Sequence, residues 1–410
     1  MATSYDWIDS TAELADYCAR HRDAAWAAFD TEFVSEYSYR PQLCLIQVAT
    51  PGAVTLIDPL ALDDVAPFWN WLADIPGDVI VHAGRAEFEF CLRWAGRVPQ
   101  RWFDVQIAAG LVGTEYPVSF RKLVDRFTGR SLGKAETRTD WRRRPLDPRQ
   151  LEYACQDVVP LKTIADALGR ELDRRNRRTW YAEEIDAWRN DRLAEQEAES
   201  WPRLSGVSKL SGRQRAVARA LWRWREAEAA QRNVLPRRVL RDDLLVELAR
   251  WETADPKRVR SLRGMEWRKV SRKLPAICRA IETALALPEA EWPALPARKP
   301  HMELGNQLPQ FLYMAVASLC VAASVAPSLV ATVQDIRDLI EHHVGGSRPD
   351  DAAGGCERQQ LPRLARGWRA ELVGNVVDDL LDGKLAIRIA DPRSAHPVVI
   401  EAYEGRGRTS

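Results

Sequence analysis

Between Ala24 and Phe33 the chain reads AAWAAFDTEF, an apolar run broken only by Asp30, Thr31 and Glu32. Two more apolar stretches follow closely, LCLIQVA at 43–49 and AVTLI at 53–57, with Tyr-Arg-Pro and Thr-Pro-Gly between the runs. Short apolar runs bounded by turn residues predict three strands, and their close spacing predicts an antiparallel meander. DVAPFWNWLADI (64–75) has helical periodicity, VIVHA (79–83) reads as a buried strand, and RAEFEFCLRWAG (85–96) as a helix ended by Gly96. Further helices are predicted near 104–113 and 119–128, and another within LDPRQLEYACQDV (146–158), with Asp147 as N-cap and Pro148 at the first helical position.

Strands first, then strand and helix mixed, predict an α/β domain ending near 170–195. Residues 171–200 are polar and read as a helical connector up to the break at Trp201-Pro202. From 208 to 290 the periodicity is helical throughout, and LPEAEWPALPARKP (287–300) reads as a linker. A third, mostly helical segment contains the Gly/Asp-rich loop VGGSRPDDAAGGCE (344–357) and closes on KLAIRI (384–389), which reads as a short strand. The expected division is 1–195, 202–292 and 303–402.

An apolar share of 46% and a charged share of 29% place the chain among ordinary globular proteins. No stretch of about 18 uninterrupted apolar residues predicts a membrane span. The start, MATSYDWIDS, has no basic region and no apolar core, so a secretory signal is not expected. Seven cysteines are scattered singly without a CxxC pair, which predicts neither a zinc site nor a disulfide frame and suits the cytoplasm. Charge changes the picture more. Residues 202–300 hold 23 Lys and Arg against 11 Asp and Glu, so an acidic body carries one basic module, a pattern that suggests binding of a polyanion.

On a strand, Asp30 and Glu32 leave the chain on one side, and Phe29, Thr31 and Phe33 on the other. Two like charges so close call for a positive charge between them. Tyr153 and Asp157 share one face of their helix at i and i+4. Taken alone they read as incidental surface residues. HAGRAEFEF (82–90) ends a buried strand and opens a helix with Glu87 and Glu89, positions that acidic residues often take as helix-dipole partners. TRTDWRRRP (137–145) is basic and aromatic together. Combined, these groups are what phosphodiester cleavage with two divalent ions requires, since Mg²⁺ or Mn²⁺ takes carboxylate oxygens and offsets the charge of phosphate and leaving oxygen.

The motifs DTEFVSEYSYRPQLCLIQVA, HAGRAEFEF and TRTDWRRRPLDPRQLEYACQDV, in this order, resemble the ribonuclease D family of the DEDD 3′→5′ exonuclease superfamily, in the subgroup with a tyrosine in the third motif. The resemblance covers residues 5–170 and implies a ribonuclease-H-like α/β domain, a mixed sheet with flanking helices. It implies that Asp30 bridges both metals, Glu32 and Asp157 hold the nucleophile-side ion, Glu87 reaches its metal through water and Tyr153 positions the attacking water. Glu87 stands where the family usually carries aspartate, and its longer side chain is expected to retune activity. Glu87 is expected to face the same cavity as Asp30 and Asp157.

LWRWREAEAAQRNVLPRRVLRDDLLVELAR with LRGMEWRKVSRKLPAICRAIETAL is similar to the helicase-and-RNase-D C-terminal (HRDC) domain, a small all-α bundle. Arg213, Arg215, Arg219, Arg223, Lys269, Arg272 and Lys273 are its candidate phosphate contacts, and Trp222 and Trp224 are candidates for base stacking or core. The third segment resembles a divergent second copy. The reading is a monomeric 3′→5′ exoribonuclease that releases nucleoside 5′-monophosphates from RNA, with tRNA precursors the implied substrate. A weak or inactive RNA-binding homologue, on account of Glu87, and a DNA exonuclease are the alternatives. Removal of residues 202–410 is expected to leave a folded exonuclease.

Overall fold

The computed structural model describes residues 4–131, 139–265, 272–294, 305–345, 361–394 and 397–403, so Lys269 and most of the Gly/Asp-rich loop lie outside the described residues. The chain groups into two compact units, one of residues 1–32, 44–191 and 301–410 and one of residues 33–43 and 192–300.

The first unit is built on a six-stranded sheet of β1 (Asp6–Ile8), β2 (Trp26–Val34), β3 (Gln42–Thr50), β4 (Ala53–Ile57), β5 (Asp78–Val81) and β6 (Trp102–Asp104), in the order β1-β4-β3-β2-β5-β6. The expected antiparallel pairing holds for β3 and β4, with Ile46 opposite Ile57 and Thr50 opposite Ala53. Their tight turn needs a left-handed residue, which Gly52 supplies at φ +83°. β1 runs parallel to β4, β5 to β2 and β6 to β5, which makes the sheet mixed. At three residues each, β1 and β6 are too short to show alternation in the sequence.

Helices α1 (Thr11–Arg20), α2 (Ala66–Asp74), α3 (Arg85–Ala95), α4 (Val105–Leu111), α5 (Phe120–Thr128), α6 (Pro148–Val158), α7 (Leu161–Arg174) and α8 (Arg178–Glu197) complete the order. Gly96 ends α3 at φ +68° as expected. α6 starts where the sequence places it: Asp147 accepts from Arg149 N at 2.8 Å and forms a capping box with Gln150. Phe29 on β2 packs edge-on against Phe68, Trp69 and Trp102, with ring centroids 6.3, 6.1 and 6.2 Å away. This aromatic core fixes which face of β2 is inward and turns Asp30 and Glu32 to the other.

α8 is more than a polar connector, because Tyr181, Glu184 and Ile185 on it are buried. The C-terminal segment of this unit contains helices Gln307–Ala322, Val333–Val344 and Asn375–Leu381. It ends in a hairpin that pairs Leu385–Ile389, the expected KLAIRI strand, with Val398–Ala402. The segment lies against the exonuclease part: Ala326 N donates to Gly110 O at 2.8 Å. A Cβ on Gly113, at φ +89°, would stand 3.0 Å from Ser324 O, so the backbones approach more closely than a side chain permits.

The second unit is helical. α9 (Gly212–Arg232), α10 (Pro236–Val239), α11 (Asp242–Trp251), α12 (Pro256–Ser261) and the helix Leu274–Leu285 enclose Val217, Leu221, Leu245, Leu248, Ile277 and Ile281. Trp222 and Trp224 pack, partly buried, against this core.

Candidate active site

β2, the end of β5 and the helices α5, α6 and α7 meet at a cavity of about 140 Å³ lined by Asp30, His82, Phe120, Tyr153, Asp157 and Leu161. Sequence reasoning supplied Asp30, Tyr153 and Asp157 and missed the other three. His82 could have been found as the polar residue that ends a buried strand. Phe120 and Leu161 carry no such signal. The Tyr153 hydroxyl is within hydrogen-bonding reach of Asp157, as i and i+4 on α6 allow. Buried Trp141 stands behind Tyr153, with ring centroids 6.2 Å apart.

Burial raises all four carboxyls, and for Glu32, Glu87 and Asp157 repulsion by neighbouring carboxylates adds to it. Asp30 rises to about 6, Asp157 and Glu87 to about 8, and Glu32 to about 9. After burial, the Asp30 charge is the next cause for Asp157 and Glu87, while Asp30, Asp157 and Glu87 together act on Glu32. Among the described residues no basic side chain contributes to any of the four shifts. A bound cation would supply the positive charge that this cluster calls for. Among the described residues no group of three or more His, Cys, Asp or Glu side chains is already arranged to hold a metal ion. An open set of hard oxygen donors suits Mg²⁺, which is held by one or two carboxylates and completes its shell with water and substrate phosphate. The donor set fits in kind.

Glu87 is 5% exposed, whereas the Glu89 side chain is 44% exposed and pairs with Arg85 at 3.1 Å on the surface. Glu87 is thus the carboxyl of this helix that points inward. It is not among the residues that line the cavity with Asp30 and Asp157, as the sequence suggested; Thr31 Oγ1 donates to Glu87 Oε1 at 2.5 Å and holds it just behind them, near enough for the Asp30 charge to act on it.

Two clamps the sequence did not reveal set these positions. Asp104, at the end of β6, accepts from Ala83 N and Gly84 N at 3.1 Å each and caps α4 by accepting from Gln106 N at 2.8 Å. Ala83 sits at φ +54°, so this carboxyl fixes a left-handed turn from which α3 and Glu87 start. Asp104 N in turn donates to the Tyr181 hydroxyl of α8 at 2.7 Å. The second clamp is Arg144, from the basic lead-in to α6. Its guanidinium donates to both Asp58 oxygens at 2.5 and 2.6 Å and to Cys44 O at 2.6 Å. This arginine anchors the third motif to the sheet and is not a free phosphate contact.

In the second unit, Arg223 pairs with Glu199, Lys273 with Glu228 at 2.5 Å and Arg213 with Glu252 at 3.7 Å. Arg215 and Arg219 are half-buried, and Arg272 is exposed. Arg237, Arg238, Lys257, Arg258, Arg260, Arg263 and Arg279 are exposed and, among the described residues, form no ion pair. Sequence reading counted these charges without choosing them, since pairing is decided only by the fold.

A family model described as 3′-5′ exonuclease matches residues 5–173, and one described as HRDC domain matches residues 214–281. Ribonuclease D of Jannaschia is 34% identical over 93% of this chain and 96% of its own length. Ribonuclease D of Bartonella henselae is 31% identical over 94% of this chain and 92% of its own. The crystal structure of Escherichia coli RNase D, an exoribonuclease involved in structured RNA processing, superposes with a TM-score of 0.75 at 29% identity, covering 93% of this chain and 99% of that one.

Proposed function

The chain belongs to the ribonuclease D family, and from that premise we propose that it is a 3′→5′ exoribonuclease that releases nucleoside 5′-monophosphates, with tRNA precursors among its substrates. The observation that carries the reading is the buried, uncompensated set Asp30, Glu32, Glu87 and Asp157 beside Tyr153. The HRDC domain supports a nucleic-acid partner, and the family relation makes that partner RNA rather than DNA. All proposed catalytic groups come from one chain, so a monomer suffices. Among the described residues no helix is long and apolar enough to cross a membrane, and six free, singly placed cysteines suit the cytoplasm.

Asp30, Glu32 and Asp157 would hold two divalent ions, Mg²⁺ or Mn²⁺, with Glu87 reaching one of them through water. Bound there, the ions polarise the phosphate and lower the pKa of the attacking water. The remaining work falls to this chain's own groups. The Tyr153 hydroxyl, held well above its ordinary pKa by burial and by the charges of Asp157, Glu32 and Asp30, stays protonated and can orient the water by hydrogen bonding. Water attacks the terminal phosphorus, the bond to the preceding 3′ oxygen breaks, and that oxygen takes up a proton. The hydrogen bond from Thr31 gives the longer Glu87 side chain a fixed position, which supports a working role for glutamate here. The first test is release of 5′-monophosphates from RNA labelled at its 3′ end, with Mg²⁺ or Mn²⁺ present and again with chelator.

Two predictions follow from the placement of these residues. Glu87→Ala will lower turnover by roughly a hundredfold, the order seen when one charge-stabilising group is removed, while Glu89→Ala will leave it within twofold. The opposite ranking would move the second motif to Glu89. We also propose that the unpaired cations near α12 grip RNA phosphates, with Arg213, Arg215, Arg219, Arg223, Lys269, Arg272 and Lys273 as further contacts. Replacing Lys257, Arg258 and Arg260 together by glutamine should reduce the slope of log affinity against log salt by about 2 for single-stranded RNA. An unchanged slope would show that this face does not touch phosphate.

A further inference from the structure

The catalytic cavity, at about 140 Å³, is well below the size of pockets that hold whole small molecules, roughly 300–1,000 Å³. That size suits the reacting phosphate rather than a whole nucleotide. A second cavity of about 480 Å³ is lined by Val124, Phe127, Thr128, Arg130, Ser131, Glu152, Gln156, Val159, Pro160 and Thr163. Both cavities are built from the same walls. α5 gives Phe120 to the first, and Val124 and Phe127, at i+4 and i+7 on the same stripe, to the second. α6 gives Tyr153 and Asp157 to the first, and the preceding residues Glu152 and Gln156 to the second. Leu161 and its neighbour Pro160 divide in the same way. With a rise of about 1.5 Å per residue, Phe127 stands roughly 10 Å along α5 from Phe120.

Resting on the exoribonuclease reading, we infer that this second compartment is a base-binding subsite for a nucleotide within the last three of the RNA strand. Part of its lining is apolar and aromatic, from Val124, Phe127, Val159 and Pro160, and suits the face of a base. Its rim carries hydrogen-bonding groups. Gln156 Nε2 donates to Glu152 Oε1 at 3.2 Å, which leaves Gln156 Oε1 and the second Glu152 oxygen to accept from base amino groups. Arg130 is exposed at the end of α5 and, among the described residues, forms no ion pair, so it is available to the sugar-phosphate chain. The subsite seats the strand while Tyr153 and Asp157, on the adjoining face of the same helix, act on its end.

The test uses the full chain and a set of single-stranded RNAs, each with one abasic residue at the terminal, second or third position from the 3′ end. On the wild type, one of these substitutions should raise KM about tenfold, the order that stacking one base provides, with a smaller effect on kcat. Phe127→Leu, which keeps an apolar side chain, and Gln156→Ala, at a position that the fold does not depend on, should raise KM on intact RNA. The same abasic substrate should then add little further loss on Phe127→Leu. If the wild type hydrolyses intact and abasic RNAs with equal KM, or Phe127→Leu discriminates between them as the wild type does, the subsite is refuted while the exonuclease reading stands. If no RNA is hydrolysed at all, it is the exonuclease reading that falls.

Discussion

Replacing Asp30 by asparagine will abolish exonucleolytic turnover and, at the same time, stabilise the metal-free protein above neutral pH. The first effect follows from the proposed position of Asp30 between two cations. Losing several kcal/mol of charge stabilisation corresponds to at least about a thousandfold in rate. The second follows from electrostatics. Burial raises Asp30 to about 6, and burial together with repulsion by neighbouring carboxylates raises Asp157 and Glu87 to about 8 and Glu32 to about 9, above the ordinary carboxylate range of their unfolded forms. The folded chain thus holds more protons than the unfolded chain across that window. The stability these groups confer is complete below the unfolded values near 4 and is lost as pH rises through 6 to 9. With chelator present, the wild type should melt progressively lower between pH 5 and 9, and Mg²⁺ or Mn²⁺ should restore much of the loss. Asp30→Asn removes one charge from the cluster and should gain more than about 1 kcal/mol at pH 8 in chelator. Thermal melts across pH, paired with hydrolysis of labelled RNA, check both effects. A variant that keeps near-normal turnover, or melts below the wild type at pH 8 without metal, contradicts the assignment of Asp30.

The carboxylates of β2 and the Tyr-Asp helix were legible because both signals are local. Alternation places Asp30 with Glu32, and a four-residue spacing places Tyr153 with Asp157. The strong strands and the capped start of α6 were legible for the same reason. Residues that hold the motifs in place were not. Asp104 is one acidic residue at the end of a three-residue strand, and its role comes from backbone groups of Ala83 and Gly84 some twenty positions away. Arg144 lies in a run of three arginines that reads as basic surface, and only the approach of Asp58 and Cys44 makes it internal. Thr31 was assigned to the correct face of its strand, but nothing local shows that Glu87 would arrive there. The C-terminal segment read as a separate module because its partner surface on α4 and α8 is discontinuous in sequence.

That surface makes the last prediction run against what the sequence suggested: removing residues 202–410 will not leave a sound exonuclease, and the loss will trace to residues 301–410. Arg369, 5% exposed, donates to both oxygens of Glu184, 7% exposed, at 2.5 and 2.9 Å. It also donates to Leu329 O and Val330 O at 2.8 and 2.9 Å. Arg177, at the start of α8, donates to Leu111 O at 2.7 Å and to the Ser324 and Ala323 carbonyls of the C-terminal segment. Trp180 stacks on Trp368, with centroids 5.3 Å apart. Deletion strips Arg177 of two of its three acceptors, removes both arginines paired with Glu184, Arg369 and Arg363, and bares the face of Trp180. In the intact chain, a buried pair broken on one side typically costs about 3–5 kcal/mol, or roughly 6–20 °C in Tm for a domain of about 150–250 residues. Arg369→Ala alone should show most of this loss. The double change Glu184→Gln with Arg369→Met should lose less, because it leaves no charge buried. Activity should fall with stability. The same helix carries Tyr181, whose hydroxyl accepts from Asp104 N, and Asp104 sets the turn from which Glu87 projects. Melting curves and kcat of the full chain, Arg369→Ala and a chain ending at residue 300 decide the matter. A truncated chain that melts within about 2 °C of the full one, with unchanged kcat, would show that the C-terminal segment merely rests on the exonuclease part.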